Sequence, residues 1–170
     1  ALTAKSEPRE LRYFSPQIAA ADAVAGAPCG RVRLGRIVAN DQLRLPIERR
    51  VSAVELVPYD TLRWTERPDV FARRAIARAV YAQPIEQAVG GQGLTLDVEL
   101  AGFEEVARGG RVALHYAVRD EVRVVATGTI DIERPARAAT IEATVVAIGE
   151  ALAAASDELA RRVVAAACPR

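Results

Sequence analysis

The sequence predicts an α+β fold, a two-layer sandwich in which two helices pack on one face of a mixed, mostly antiparallel sheet. Residues 94–133 alternate apolar and polar side chains, as strands with one buried face do. Residues 68–82 and 139–167 instead repeat apolar side chains every three or four positions, as amphipathic helices do. An element with one apolar face buries it against another element, so we expect both helices to cover the same face of the sheet.

Composition limits the classes of protein to which the chain can belong. Its 170 residues, 51% of them hydrophobic, suit one domain, which we place at residues 9–168 after a polar, flexible tether at residues 1–8. The 23 basic and 22 acidic side chains nearly cancel, which argues against a nucleic-acid partner. The longest apolar stretch, residues 138–155, is interrupted by Glu142 and Glu150 and falls short of a bilayer span.

The first third of the chain reads as short strands joined by loops. We predict strands at residues 9–15, 31–39 and 49–57, where aromatic, β-branched and other apolar residues lie between turn formers. Residues 18–30 are rich in Ala, Pro and Gly and predict a loop. A polar turn at residues 40–46 separates the second strand from the third.

The first helix is delimited by prolines. Pro68 and Asp69 form a helix-start signal, since proline needs no donor in the first turn and an early acid suits the helix dipole. Pro84 ends the helix near residue 82. Its apolar stripe consists of Phe71, Ala75, Ile76, Ala79 and Val80.

The second half of the chain predicts a three-stranded antiparallel meander and then a long helix. Apolar residues alternate over 94–100, 112–118 and 122–133, with connections short enough for hairpins. Residues 139–167 follow with helical periodicity. Two i,i+4 pairs support that helix, namely Asp157 with Arg161 and Glu158 with Arg162.

Residues capable of catalysis or metal binding are sparse and scattered. The one histidine, His115, lies on a predicted strand and is expected to face outward. Glu104 and Glu105 are neighbours that point to opposite faces of a strand. The glycines at 90, 91 and 93 precede a strand, whereas a phosphate-binding loop precedes a helix. We therefore expect no catalytic residue, cofactor or metal, and interpret the chain as a binding or assembly component and not an enzyme.

Two further features leave alternatives open. Cys29 and Cys168 fit no metal-ligand spacing; they form a disulfide in an oxidising compartment or remain two free thiols. Trp64, the chain's one tryptophan, lies between charged residues just before the first helix. Trp and Arg are enriched at binding hot spots, but a Trp at this position can equally close the hydrophobic core.

The run of residues 51–68, with Tyr59, Arg63-Trp64 and Glu66 before a helix, resembles the auxiliary lipoproteins of ABC-type transport systems. Within that family it is most similar to the PqiC-type subunits that accompany MCE-domain lipid transporters. The likeness extends from the strand at residues 9–15 to the C-terminal helix. It therefore covers most of the chain.

The resemblance implies a periplasmic protein of a Gram-negative bacterium, anchored to the outer membrane by a lipidated cysteine that precedes Ala1. It implies as partners an MCE-domain protein with its ABC permease and ATPase, a role in membrane integrity, and self-association into a homo-oligomer. Arg63, Trp64 and Glu66 are the residues at which we expect contacts between copies. A different function is also open, that of a periplasmic carrier of a lipid or small amphiphile, which would need an internal apolar cavity.

Overall fold

A computed structural model describes residues 9–169 and has the predicted α+β fold, with a mixed eight-stranded sheet and two helices. The predicted tether, residues 1–8, lies outside the described residues. The elements in chain order are β1 (Arg12–Phe14), β2 (Gly30–Ala39), β3 (Pro46–Ser52), β4 (Glu55–Trp64), α1 (Pro68–Tyr81), β5 (Ile85–Gln87), β6 (Leu94–Val106), β7 (Gly109–Arg119), β8 (Val124–Pro135) and α2 (Ile141–Ala167).

The sheet is organised around the long strand β6. One edge of β6 pairs antiparallel with β7, which pairs antiparallel with β8, so the predicted meander is confirmed. The other edge pairs in parallel with β2 over residues 94–100 and with β3 at residues 104 and 105. Strand β5 extends the sheet from β2, while β4 and then β1 extend it from β3.

Both helices cover the same face of this sheet. Helix α1 begins at Pro68 and ends at Tyr81, close to the predicted bounds. Helix α2 is capped by Thr140, whose Oγ1 accepts a hydrogen bond from the Ala143 amide at 3.2 Å. Strands β7 and β8 lie under α2, and the apolar stripes of the two helices meet the apolar face of the sheet in one core.

A glycine on β7 allows α2 to approach the sheet closely. Gly110 lies under α2, and a Cβ added there would stand 2.5 Å from the backbone nitrogen of Ile148. Any larger residue would force the helix away from the strand. Gly110, at the start of β7, therefore has a packing role.

The predicted strand at residues 49–57 is wrong, because a turn divides it between β3 and β4. The Ser52 hydroxyl accepts a hydrogen bond from the Val54 amide at 3.3 Å within this turn. Val54 is 95% exposed. Val51 before the turn and Val54 within it gave the segment a strand-like pattern, but both side chains are exposed. The rest of β4 and the short β5 were also not predicted.

Candidate functional site

Trp64 lies in the core, at the end of β4, and not on the surface. Its side chain is 1% exposed, and its ring meets those of Phe71 at 6.1 Å and Phe103 at 5.0 Å edge to face. This corrects the expectation that Trp64 offers a surface contact between copies. Of the two alternatives that the sequence left open, the structure supports the one in which Trp64 closes the core.

Arg63 and Glu66 lie on either side of Trp64 but point to different places. The Arg63 guanidinium folds back on its own strand and donates to the carbonyl oxygens of Tyr59, Asp60 and Leu62 at 2.8–3.0 Å. The Glu66 carboxylate forms an ion pair with Arg74 on α1. The three predicted contact residues therefore do not form one patch, and a role of Arg63 and Glu66 in assembly stays a prediction.

A surface groove of about 620 Å³ opens beside Arg63. Arg44 in this groove donates from Nε to the Asp41 carbonyl at 3.1 Å, and Arg67 pairs with Asp69 at 3.0 Å. Guanidinium groups next to apolar side chains can accept an anionic, partly apolar group. The groove is lined by Ala39, Asn40, Asp41, Leu43, Arg44, Leu45, Pro46, Arg63 and Arg67.

Tyr59, which contributes to the family resemblance, is tied to Glu105 of β6. The Tyr59 hydroxyl donates to Glu105 Oε2 at 2.7 Å, and the Arg49 guanidinium lies 5.3 Å from the Tyr59 ring centroid. Burial and then the bond to Glu105 raise the pKa of Tyr59. A second groove, of about 510 Å³, opens here between the β6–β7 turn and the start of α2.

Glu104 is the centre of a charged network on the open face of the sheet. Its carboxylate is 1% exposed and accepts from Arg50 on β3 at 2.5 and 3.2 Å and from Arg111 on β7 at 2.8 Å. Arg111 also donates two hydrogen bonds to the Asp131 carboxylate of β8, from Nε at 2.8 Å and from Nη2 at 2.6 Å. These side chains form a line of alternating charge across four strands, which holds the open face in one arrangement.

Glu48 adds a second carboxyl beside Glu104. The two residues are aligned on the parallel strands β3 and β6, and Glu48 Oε2 is buried without a hydrogen-bond partner among residues 9–169. Burial and then the charge of Glu104 raise the pKa of Glu48 above its ordinary value. The folded chain therefore holds the proton of Glu48 more tightly than the unfolded chain does.

The remaining candidates from the sequence occupy ordinary positions. His115 is exposed on β7, as predicted, and faces the open side of the sheet beside Glu99 on β6. Glu104 and Glu105 point to opposite faces, also as predicted. Across residues 9–169, no three His, Cys, Asp or Glu side chains are grouped so that they could hold a metal ion. None of the helices in this range is long and apolar enough to cross a bilayer.

Cys29 and Cys168 form a disulfide that ties the loop before β2 to the end of α2. Their Cα atoms are 5.4 Å apart, and 139 positions separate them in the chain. The loop itself runs along the end of α1, with the amides of Val24 and Cys29 donating to the carbonyls of Ala82 and Pro84. Of the two alternatives for these cysteines, the structure supports the bonded one.

The sequence did not reveal the Glu104 network or the second carboxyl beside it. Arg50, Glu104, Arg111 and Asp131 lie on four different strands, so no local spacing joins them. One signal was available in the sequence. Arg111 and Asp131 carry opposite charges, and each stands in a segment otherwise rich in strand-forming residues. Their partnership with Glu104 required the register between β3 and β6.

No protein-family model and no curated protein matches the chain. Its fold is similar to the crystal structure of protein XCC0632 from Xanthomonas campestris, family DUF330, at 19% identity over 89% of this chain and 94% of that one, with a TM-score of 0.77. An uncharacterized protein is similar at 14% identity over 91% and 99%, with a TM-score of 0.72. The hypothetical protein CT253 from Chlamydia trachomatis follows at 10% identity over 83% and 99%, with a TM-score of 0.54. Identities this low show a shared fold alone.

Proposed function

We propose that the chain is a non-enzymatic periplasmic lipoprotein subunit of an ABC/MCE-type lipid transport system. In this role it links the transporter to the outer membrane, where it is held by a lipid anchor preceding Ala1, and it supports membrane integrity. Its partners are an MCE-domain protein with the ABC permease and ATPase, and further copies of itself. The likeness of Tyr59, Arg63-Trp64 and Glu66 to PqiC-type subunits supports this assignment.

The observation that carries the proposal is the disulfide between Cys29 and Cys168. Disulfides persist in oxidising compartments such as the bacterial periplasm and are rare in the cytosol. By joining two segments that are distant in sequence, this one also constrains the unfolded chain strongly. A structural disulfide of this kind agrees with a protein that works outside the cytoplasm.

The packing favours docking over the enclosure of a ligand. Large buried side chains, among them Trp64, Phe103, Ile76 and Leu152, fill the space between the sheet and the helices. The grooves described above instead open on the surface. A carrier would need an apolar cavity that shields most of its ligand from water, so we favour the subunit over the carrier.

The open sheet face suits a docking surface because its charges are held in place. The bonds from Arg50 and Arg111 to Glu104, and from Arg111 to Asp131, order side chains that would otherwise be mobile. Ordered charges give a partner specificity and orientation more than raw affinity. The grooves beside Arg63 and Tyr59 supply concave surfaces at the margins of the same sheet.

The compartment and the anchor can be tested on the natural gene product in a Gram-negative host. We expect metabolic labelling with a fatty-acid analogue, recovery in the outer-membrane fraction, and no maleimide labelling of Cys29 or Cys168 unless a reductant is added. A protein that takes up no fatty acid and remains in the cytoplasm with two reactive thiols would contradict the proposal.

The docking role can be tested by crosslinking in cells followed by purification through the chain. We expect an MCE-domain protein to be recovered, and Arg63→Glu to reduce the yield because it reverses a charge in the 620 Å³ groove. Arg123→Glu, at the exposed β7–β8 turn, is the matched control and should leave the yield unchanged. Recovery of a stoichiometric lipid by mass spectrometry, without an MCE-domain protein, would favour the carrier instead.

A further inference from the structure

The groove beside Arg63 carries an excess of positive charge. Three guanidinium groups line it, those of Arg44, Arg63 and Arg67. They are balanced in part by Asp41, which also lines the groove, and by Asp69, which pairs with Arg67 at 3.0 Å. Three positive and two negative groups leave one positive charge over. Arg44 and Arg63 form no ion pair within residues 9–169, since their bonds go to main-chain carbonyl oxygens, which hold a guanidinium group without cancelling its charge.

The other carboxylates near Arg63 in the sequence are already engaged. Asp60 pairs with Arg9 at 2.9 Å, and Glu66 pairs with Arg74 on α1. The excess charge of the groove is therefore available to an anion from outside the chain.

Arg44 keeps most of its hydrogen-bond donors for such an anion. Its Nε bonds the Asp41 carbonyl at 3.1 Å, while Nη1 and Nη2 bond no group of residues 9–169. A guanidinium group presents five N–H donors, so Arg44 has four left, in a planar fork that can hold two oxygens of one anion side by side. Carboxylate and phosphate are the anions that fit this fork.

The same groove has an apolar wall. Leu45 lines it with 42% of its surface exposed, and Ala39, Leu43 and Pro46 lie beside it in the lining. Covering Leu45 removes apolar surface from water and so favours a ligand with an apolar body. The groove volume of about 620 Å³ also lies within the range of about 300–1,000 Å³ that is usual for sites of small molecules.

The wall has its shape before any ligand arrives. Asn40 Oδ1 accepts hydrogen bonds from the amides of Gln42 and Leu43 at 3.2 Å each, which fixes the loop between β2 and β3. The Leu45 carbonyl accepts a hydrogen bond from the Trp64 amide at 2.6 Å and ties this loop to β4. A site that is already ordered loses less conformational entropy when it binds.

We propose that this groove binds a small anionic amphiphile, a carboxylate or phosphate group attached to an apolar body. Arg44 binds the anionic group, Arg63 adds positive potential, and the apolar body lies against Leu45. The ligand lies in an open groove at the surface, whereas the carrier considered above would enclose its ligand in the core. The site goes beyond the proposed function, which needs no small ligand.

Titration calorimetry of the purified full chain tests the site with whole and divided probes. Octyl phosphate and octanoate, below the concentrations at which they form micelles, supply both the anion and the apolar body. Inorganic phosphate and octanol each supply one half. We expect one site per chain for the two amphiphiles, and binding weaker by about tenfold or more for each half. Absence of saturable binding of both amphiphiles, or octanol binding as tightly as octyl phosphate, would overturn the proposal.

A pair of matched variants locates the site. Arg44→Gln removes a charge from an exposed side chain that bonds only its own loop, so the fold should be kept. We expect the dissociation constant of octyl phosphate to rise about tenfold, because charge-assisted hydrogen bonds are lost. Arg123→Gln, at the exposed turn between β7 and β8, removes the same charge elsewhere and should leave the constant unchanged. Equal constants for the two variants would contradict a site at Arg44.

The outcome separates this site from the proposed function. If both amphiphiles fail to bind while Arg63→Glu still lowers recovery of an MCE-domain protein, the groove belongs to a protein partner and the proposed function stands without the site. If the amphiphiles bind at Arg44 and crosslinking recovers no MCE-domain protein, the site stands and the subunit role fails.

Discussion

Each face of the sheet has a side chain that is almost fully buried, but the two are covered by different kinds of neighbours. On the covered face Trp64 is 1% exposed, surrounded by Phe71, Phe103 and the helices. On the open face Glu104 is also 1% exposed, but it is covered by the arginines of neighbouring strands. Burial on one side comes from removing apolar surface from water, and on the other from pairing charge.

The two faces should therefore lose stability for different reasons. The apolar core responds to lost volume, because a cavity forfeits contacts with every neighbour. The charged network responds to lost partners, because a guanidinium left without its carboxylate keeps its desolvation cost. Substitutions of each kind, matched with exposed controls, can separate the two behaviours.

The largest effect is expected from Trp64→Ala. Removing a buried indole between two aromatic rings should lower the free energy of unfolding by about 4 kcal/mol. Chemical denaturation measures this change. The control Tyr13→Ala removes an aromatic ring that is 59% exposed on β1 and should change stability far less. Equal losses for the two variants would contradict the assignment of Trp64 to the core.

A smaller loss is expected from Glu104→Gln on the open face. The substitution keeps the shape but leaves Arg50 and Arg111 without their shared carboxylate, which should cost about 3 kcal/mol. Glu99→Gln is the control, since Glu99 lies on the same strand and is exposed. The same denaturation experiment applies. If the two variants were equally stable, the network would have no role in holding the open face.

The smallest effect has the opposite sign and comes from Glu48→Gln. Because burial and the charge of Glu104 raise the pKa of Glu48 above 4.5, ionised Glu48 opposes folding at neutral pH. Removing that charge should raise the free energy of unfolding at pH 7, by less than either of the two losses above.

The pH dependence of this gain follows from the direction of the shift. The folded chain holds the Glu48 proton more tightly than the unfolded chain does, so the wild type loses stability as pH rises above 4.5 and through the raised pKa. Below pH 4.5 both states are protonated and the advantage of Glu48→Gln should vanish. Thermal transitions measured from pH 4 to 8 check this. A gain that is constant with pH would show that Glu48 does not titrate differently in the two states.

Local sequence patterns were sufficient wherever one element could be identified by its own periodicity. The meander of β6, β7 and β8 and the two helices lie close to their predicted positions, because alternation and a three-to-four repeat reflect one buried face each. The same reasoning failed at residues 49–57, where exposed valines around a turn imitate a strand. Burial, which a local pattern cannot show, separates the two cases.

The sequence by itself determined the fold class, the two helices and the meander, since each follows from composition or from neighbours along the chain. Tertiary structure alone decided that Trp64 is core, that Cys29 meets Cys168, and that Glu104 joins Arg50 and Arg111. It also brought Arg44, Arg63 and Arg67 to one groove. These outcomes depend on which strands become neighbours and in what register, a property of the whole chain that no short segment contains.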